Sequence, residues 1–167
     1  GPGVRETLRI LGEHSPIRIR GVPTGTPVFD WVVPKEWVFR SARLFAPDGR
    51  VIVDAAAQNI QVLNFSVGFS GRVPLSELRA HLFSLSDMPE RIPYRTSYWR
   101  ENWGFCLPQR VVESLPDGEY EVEIDAELAA LFDAGRDRFE VAPDGGFAEH
   151  LVAHGGHDLV VGLERHR

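Results

Sequence analysis

The chain has 167 residues, 43% of them hydrophobic and 25% charged, a composition that suits one globular domain or one domain with part of a second. Its net charge of −6 argues against nucleic acid as a partner, because nucleic-acid-binding domains usually carry a basic face. No apolar run reaches the roughly 18 residues that a membrane-spanning helix needs, so no membrane partner is predicted.

Cys106 is the only cysteine, which excludes an internal disulfide and a cysteine-based zinc site. This usage fits the reducing cytoplasm, and we expect a cytoplasmic protein. No histidine and acid partner is evident near Cys106 in sequence, so we interpret its thiol as buried and unreactive. Residues 1–3, Gly-Pro-Gly, are typical of an expression-tag remnant and are left out of the predicted fold.

The first predicted elements are a helix over residues 4–13, with apolar residues on one side, and a short strand over residues 17–20. Residues 21–27 contain two prolines and two glycines, so they are predicted as a shaped loop. Residues 37–45 and 51–53 are predicted to form a hairpin around a Pro-Asp-Gly turn.

A longer strand is predicted over residues 60–69 and a helix over residues 74–83. Proline suits the first turn of that helix, and its leucines fall at helical spacing, which indicates a core-facing stripe. Residues 86–108 show little periodicity.

In the last third, residues 111–112 and 120–124 are predicted to pair as a hairpin, and residues 126–132 to form a helical turn. Residues 133–157 resemble a mobile connection, and a short strand follows at 159–161. The predicted fold class is α+β, strand-rich with few short helices.

Two carboxylates beside large apolar residues are the predicted catalytic groups, Asp30 and Glu36. Desolvation there would raise their pKa values and suit them to proton transfer. Trp31 lies between them in sequence and is a predicted substrate contact. The alternative is that both carboxylates are structural and hydrogen-bonded near turns.

Residues 92–106 combine aromatic, arginine and small hydroxyl residues in one irregular stretch, as ligand-binding loops often do. Arginines in such a loop can hold a carboxylate, sulfate or phosphate through two parallel hydrogen bonds. Alternatively, the aromatic residues form a satellite core and the arginines lie in solvent. The predicted substrate-binding residues of this stretch are Tyr94, Arg95, Tyr98, Arg100 and Trp103.

The histidines do not predict a metal site. His150, His154 and His157 have the spacing of one helix face, but the intervening Gly-Gly disfavours a helix. The His-Glu-x-x-His motif is absent, and a solvated histidine-rich loop is the better interpretation. Phosphate-binding glycine motifs are absent as well, so nucleotide binding is not predicted.

A series of motifs follows in order along residues 22–128. They are Pro23-Thr24-Gly25-Thr26, Phe29-Asp30-Trp31, Val33-Pro34-Lys35-Glu36-Trp37, His81-Leu82-Phe83, Ile92-Pro93-Tyr94, Thr96-Ser97-Tyr98, Trp103-Gly104-Phe105-Cys106, Asp117-Gly118-Glu119-Tyr120 and Ile124-Asp125. Together they resemble the bacterial aminopeptidase-like proteins of polysaccharide and secondary-metabolite gene clusters, in the di-zinc exopeptidase superfamily. The resemblance implies a β-rich inserted domain with an N-terminal helix over residues 4–128, followed by a flexible connection and terminal strand over residues 129–167.

In that family the inserted domain leads into a peptidase strand ending in a metal-binding histidine, which would place His166 near the histidine position. The asparagine, aspartate and glutamate ligands expected further on are absent from this chain. One histidine cannot supply the roughly three protein ligands of a catalytic zinc, so we predict no metal and no cofactor on this chain.

Three interpretations remain open. In the first, a second protein chain completes the fold and the active site, giving a hetero-oligomer. In the others, the β-rich domain is a non-catalytic binding module, or the chain is half of a split zinc aminopeptidase. We favour the first, because a terminal strand with an unpaired edge invites a partner.

The resemblance also implies an amine-bearing, amino-acid-derived substrate, since aminopeptidase-like pockets recognise an α-amino group. A further similarity, which no single motif carries, is to the small subunits of two-component aziridine-forming enzymes in azinomycin-like antibiotic biosynthesis. There an amine displaces a neighbouring leaving group such as sulfate. Asp30 or Glu36 would accept the proton, the two predicted tyrosines would position the amine, and Arg95 or Arg100 would bind the departing anion.

Overall fold

A computed structural model describes residues 2–15, 17 and 21–130. The chain forms two compact units, one of residues 1–38 and 129–167 and the other of residues 39–128. The predicted mobile connection, the last strand and His166 lie outside the described residues, as does most of the strand predicted at 17–20. Within the described part, no helix combines the length and apolar character needed to cross a membrane.

The N-terminal segment begins with the predicted helix, α1 (Pro2–His14), which is confirmed. Leu8 is its buried residue, and on the exposed side Arg9 bridges Glu6 and Glu13, one helical turn away in each direction.

The predicted loop that follows α1 leads into a small antiparallel hairpin of β1 (Pro27–Val28) and β2 (Trp31–Val32). The backbone of Gly25 donates a hydrogen bond of 2.8 Å to the carbonyl of Val33, and Thr24 Oγ1 donates to the carbonyl of Pro34 at 3.1 Å. These bonds close the base of the hairpin, so its two-residue loop projects outward.

From residue 36 to residue 129 the chain forms six strands and two short α-helices. In chain order they are β3 (Glu36–Phe45), β4 (Val51–Asp54), β5 (Phe69–Pro74), α2 (Leu75–Leu78), β6 (Leu82–Phe83), β7 (Phe105–Cys106), α3 (Gln109–Glu113) and β8 (Glu119–Ala129). The α+β, strand-rich class is therefore confirmed, and the predicted hairpin corresponds to β3 and β4.

Four of these strands form one sheet in the order β4-β3-β8-β5. Two contacts give the direction of the central pair. Arg40 on β3 binds Asp125 on β8 at 2.7 Å, and Pro47, just after β3, lies against Gly118, just before β8. The chain therefore runs in opposite directions along β3 and β8.

One face of this sheet forms the core. In β8 the alternation predicted from sequence is confirmed, because Tyr120, Val122 and Ile124 are buried while the residues between them are more exposed. Among the described residues, all buried apolar side chains except Leu8 and Val33 lie between positions 42 and 126. The hydrophobic core thus belongs to the unit of residues 39–128.

The strand predicted over residues 60–69 is wrong for most of its length. Residues Asn59–Gln61 form a 3-10 turn, and Phe65 has a positive φ of 65°, which a strand does not contain. The backbone here bonds to a distant loop instead. Leu63 N–H donates to Gly104 O and Val67 N–H to Asn102 O, both at 2.9 Å.

The helix predicted over residues 74–83 is shorter than expected, because α2 passes into a 3-10 turn and then into β6, which pairs in parallel with β7. The predicted pairing of residues 111–112 with 120–124 is also wrong. Val111 and Val112 lie in α3, and β8 pairs with β5 instead. The helical turn predicted from residue 126 is replaced by the end of β8, since this strand is extended between two neighbours in the sheet.

Candidate functional site

An open cavity of about 620 Å³ lies beside the irregular loop that precedes β7. Its lining combines two arginines, one carboxylate and several small polar groups with two apolar side chains. The lining residues are Leu63, Phe83, Arg95, Thr96, Ser97, Arg100, Glu101 and Asn102. Concave sites with a few placed polar groups are the usual form of small-molecule sites.

The loop is held on the segment that follows the 3-10 turn of residues 59–61. Asn64 N–H donates to Arg95 O and Ser97 N–H donates to Asn64 O, each at 2.9 Å. Ser97 Oγ donates to Phe65 O at 3.1 Å, and Asn64 Nδ2 donates to the hydroxyl of Tyr94 at 3.2 Å. The cavity wall is therefore fixed by backbone hydrogen bonds on both sides of Asn64.

Three aromatic residues, two in this loop and one in the segment that holds it, have positive φ angles. They are Phe65 at 65°, Tyr98 at 53° and Trp99 at 62°, and their rings are in contact. The Phe65 and Trp99 ring centroids are 4.6 Å apart, and those of Tyr98 and Trp99 are 4.9 Å apart. Bulky residues in this conformation store strain, which folded proteins retain mainly at ligand sites and switches.

Trp103, a predicted substrate contact, supports the loop from within the core. Its ring lies nearly parallel to His81 at a centroid distance of 3.7 Å and to Phe69 at 4.3 Å, and only 8% of the residue is exposed. His81 Nδ1 is 2.8 Å from the Trp103 carbonyl, and since a carbonyl only accepts, that nitrogen carries the proton.

Tyr94 and Tyr98, in contrast, are 65% and 72% exposed, so their rings are available to a ligand. Arg95, Arg100 and Glu101 are also exposed. Among the described residues, no carboxylate oxygen lies within 4.0 Å of either guanidinium, and Glu101 has no cation at that distance. The cavity therefore presents two positive charges and one negative charge without internal ion pairs.

Cys106 lies behind the same loop and is fully buried, as the sequence predicted. Burial raises the pKa of the Cys106 thiol to about 11, although the backbone and the charge of Arg95 act in the opposite direction. The thiol is therefore neutral at ordinary pH, which supports the interpretation that it is unreactive.

The other predicted residues belong to the N-terminal unit. Asp30 is exposed in the two-residue loop of the β1–β2 hairpin, so the desolvation expected for it is not found. Trp31 is 51% exposed. The Glu36 side chain is only 8% exposed, with Oε2 3.6 Å from Arg5, so this carboxylate has the sheltered environment that was expected. Asp30, Trp31 and Glu36 are thus in one unit, and the loop residues are in the other.

Sequence reasoning missed part of the cavity. Glu101, Asn102 and Thr96 lie in the predicted loop but were not selected, and Leu63 belongs to a segment predicted as strand. The adjacent Arg100-Glu101-Asn102 was the available signal, because opposite charges next to an amide suit a polar ligand. Within the described part of the chain, no group of three or more His, Cys, Asp or Glu side chains is placed to hold a metal ion.

Comparison with known proteins relates this site to a family. Residues 36–127 match a family described as a domain of unknown function, DUF2172. A curated protein of Clostridium acetobutylicum, provisionally named a polysaccharide biosynthesis protein with an aminopeptidase-like domain, is 42% identical over 128 residues, covering 77% of this chain and 30% of the relative. A crystal structure of a protein from the same organism, provisionally described as a peptidase, has 42% identity and a TM-score of 0.73, covering 78% of this chain and 31% of that one. The chain therefore spans about three tenths of the length of these relatives.

Proposed function

The chain belongs to the DUF2172 family and has an aminopeptidase-like relative, and from this premise we propose that it is one component of an aminopeptidase-like biosynthetic enzyme. In this proposal it binds a partner protein that carries the peptidase-like remainder of the fold. The observation that supports a partner most directly is the apolar surface of the N-terminal unit.

That surface is concentrated on the β1–β2 hairpin. Phe29 is 102% exposed, Trp31 51% and Val32 53%. On α1, Val4, Ile10 and Leu11 are exposed as well. Large apolar side chains exposed close together mark interaction sites, because leaving them in water is costly. All six precede residue 36, where the match to the family domain begins.

The partner is proposed from what the relatives contain. Most of the length of the C. acetobutylicum protein lies outside the part matched by this chain, and its name refers to an aminopeptidase-like domain. A partner protein with an aminopeptidase-like domain is therefore the occupant we propose for the hairpin surface.

The chemistry we propose acts on an amino-acid-derived amine, which attacks an adjacent carbon and displaces a leaving group such as sulfate. The new N–C bond closes an aziridine ring, the C–O bond to the leaving group breaks, and the amine proton passes to a carboxylate. For this chemistry the N-terminal unit would offer a proton acceptor, Asp30 or Glu36. The unit of residues 39–128 would offer a group that binds the departing anion, Arg95 or Arg100. Tyr94 and Tyr98, which are exposed on the same loop but are not among the cavity-lining residues, would position the amine.

The test of the partner is co-expression of this chain with the product of the gene next to its own. We expect a stable hetero-oligomer by size-exclusion chromatography with light scattering, whereas the chain alone should be self-associated or poorly soluble. If the chain is a monodisperse monomer and does not bind the product of the adjacent gene, the proposal is contradicted and an independent binding module is favoured.

Two matched variants identify the surface. Val32→Arg and Val51→Arg each place a charge on an exposed strand valine, since these residues are 53% and 50% exposed. Val32→Arg should weaken the complex at least about tenfold, which corresponds to about 1.4 kcal/mol, and Val51→Arg should leave it intact. Equal effects of the two variants would exclude the hairpin as the docking surface.

A further inference from the structure

The loop cavity brings together three charged side chains that have no ion-pair partner. Elsewhere in residues 39–128, four arginines have carboxylate partners: Arg40 pairs with Asp125 and Glu127, Arg43 with Asp54, Arg72 with Glu121 and Arg110 with Glu90. Arg50, Arg79 and Arg91 have no ion-pair partner among the described residues, but they do not line this cavity. Arg95, Arg100 and Glu101 line one cavity, and the described residues offer none of them an ion-pair partner. Even Arg100 and Glu101, adjacent in sequence, do not pair with each other.

We infer that this cavity binds a small zwitterion of the α-amino acid type. The guanidinium group of Arg100 holds its carboxylate and Glu101 holds its ammonium group, which leaves Arg95 for the departing anion of the proposed reaction. Guanidinium–carboxylate pairs are strong and directional, and a carboxylate is an efficient acceptor for an ammonium group. A ligand carrying both charges satisfies Arg100 and Glu101 together, which a simple anion or a simple amine cannot do.

The remaining lining groups fit the same ligand. Asn102 uses its Oδ1 to accept the Trp103 N–H at 2.9 Å, which leaves its amide N–H groups to donate. Ser97 donates its hydroxyl proton to Phe65 O, so its oxygen can accept. Leu63 and Phe83 supply an apolar surface for a side chain, and about 620 Å³ lies within the roughly 300–1,000 Å³ of small-molecule pockets.

This inference rests on the proposed function for its biological meaning, because it names the substrate class of the same site. Its test uses the isolated chain carrying Val32→Arg, because a charge on the hairpin surface counters the self-association expected of the chain alone. The association test needs the partner. A chain that binds amino acids but no partner, or a partner but no amino acids, would separate the two proposals.

The test is an NMR titration of the ¹⁵N-labelled Val32→Arg chain at constant ionic strength with three related probes. L-Leucine carries both charges, 4-methylpentanoate lacks the ammonium group and 3-methylbutylamine lacks the carboxylate. We expect saturable shifts of the backbone amides of Ser97, Arg100 and Asn102, with leucine binding at least about tenfold more tightly than either probe with one charge.

Charge-removing variants assign the two ends of the ligand. Glu101→Gln should reduce leucine affinity to that of 4-methylpentanoate, and Arg100→Gln should reduce it to that of 3-methylbutylamine. Arg91→Gln is the matched control, because Arg91 is exposed and precedes the cavity-lining residues of the same loop. The amide spectrum of each variant reports whether the fold is intact.

Three outcomes would overturn the inference. Equal affinity for leucine and 4-methylpentanoate would show a simple anion site. If Arg91→Gln and Arg100→Gln reduce the affinity for leucine equally, the effect is one of net charge alone. Shifts that fail to saturate with every probe would show that the cavity is not an amino-acid site.

Discussion

Every described non-glycine residue with a positive φ is aromatic: Phe29, Phe65, Tyr98 and Trp99. The left-handed backbone conformation costs an L-residue about 1–2 kcal/mol, and this cost is smaller for glycine or asparagine than for an aromatic residue. Tyr98 and Trp99 lie in the loop that contributes to the cavity, and Phe65 contacts Trp99. Phe29 lies at the tip of the hairpin. Strained backbone at bulky residues is more frequent at functional sites than elsewhere, because the rest of the fold must offset its cost.

Cys106 gives a prediction about reactivity and pH. The folded chain should not react with iodoacetamide at pH 8, and it should react readily once unfolded. Because the folded pKa is raised from its ordinary value of 9.0 to about 11, the unfolded thiol ionises first as pH rises. The contribution of Cys106 to stability is therefore complete below pH 9 and is lost towards pH 11. Chemical unfolding of the wild type and Cys106→Ala across this range should show their stability difference shrinking.

Gly104 is predicted to be intolerant of any side chain. A Cβ at this position would collide with the His81 carbonyl oxygen and would lie 2.8 Å from the Phe83 ring. Gly104→Ala should therefore destabilise the chain by about 1–3 kcal/mol, as overpacking does. Thermal melting is the measurement, and Gly49→Ala, where no atom lies within 4 Å but φ is +81°, separates collision from backbone strain. Equal melting temperatures for Gly104→Ala and the wild type would contradict the packing described for this loop.

At the scale of elements, sequence predicted best where structure is local. The β3–β4 hairpin follows from a Pro-Asp-Gly turn between apolar runs, and the buried face of β8 follows from its alternation. Residues 62–67 were mispredicted because their backbone bonds to residues 102–104, far along the chain. Alternation within a window cannot reveal such a partner, nor that β8 pairs with β5 rather than with residues 111–112.

The candidate site was predicted in part for the same reason. Residue types alone identified the loop around Arg95 and Arg100 as suited to a ligand. Which side chains reach the cavity depends on the turn at Tyr98 and Trp99, whose positive φ angles no sequence pattern indicated. The predicted set therefore includes Trp103, which is buried, and leaves out Glu101, which lines the cavity.

The β1–β2 hairpin gives a prediction that separates stability from association. Phe29→Gly removes a fully exposed ring and places glycine where φ is 52°. The relief of backbone strain in the folded state should offset the extra conformational entropy that glycine gives the unfolded chain. We expect a free energy of unfolding within about 1 kcal/mol of the wild type and a complex with the partner that is much weaker. Phe105→Ala, at a fully buried ring, should instead cost about 3–5 kcal/mol. A large loss of stability in Phe29→Gly would show that the hairpin tip is structural.

At the scale of the whole molecule, the position of the core predicts that residues 36–129 fold as a fragment. This segment holds nearly all the buried apolar side chains among the described residues and the entire four-stranded sheet. We expect cooperative thermal unfolding and native near-ultraviolet circular dichroism from the excised fragment. A non-cooperative melt would show that α1 or the β1–β2 hairpin is needed for folding.

The two central strands of that sheet are also the first and the last of the domain. Since β3 and β8 are antiparallel neighbours, the chain leaves the domain beside the point at which it enters. A domain built in this way is equivalent to a long insertion between two neighbouring points of a host protein. It can be gained by a host protein, exchanged between hosts or deleted, because only a short connection is then needed to join the two points. Such portability gives evolution a direct route by which one β-rich domain can accompany enzymes of different chemistry.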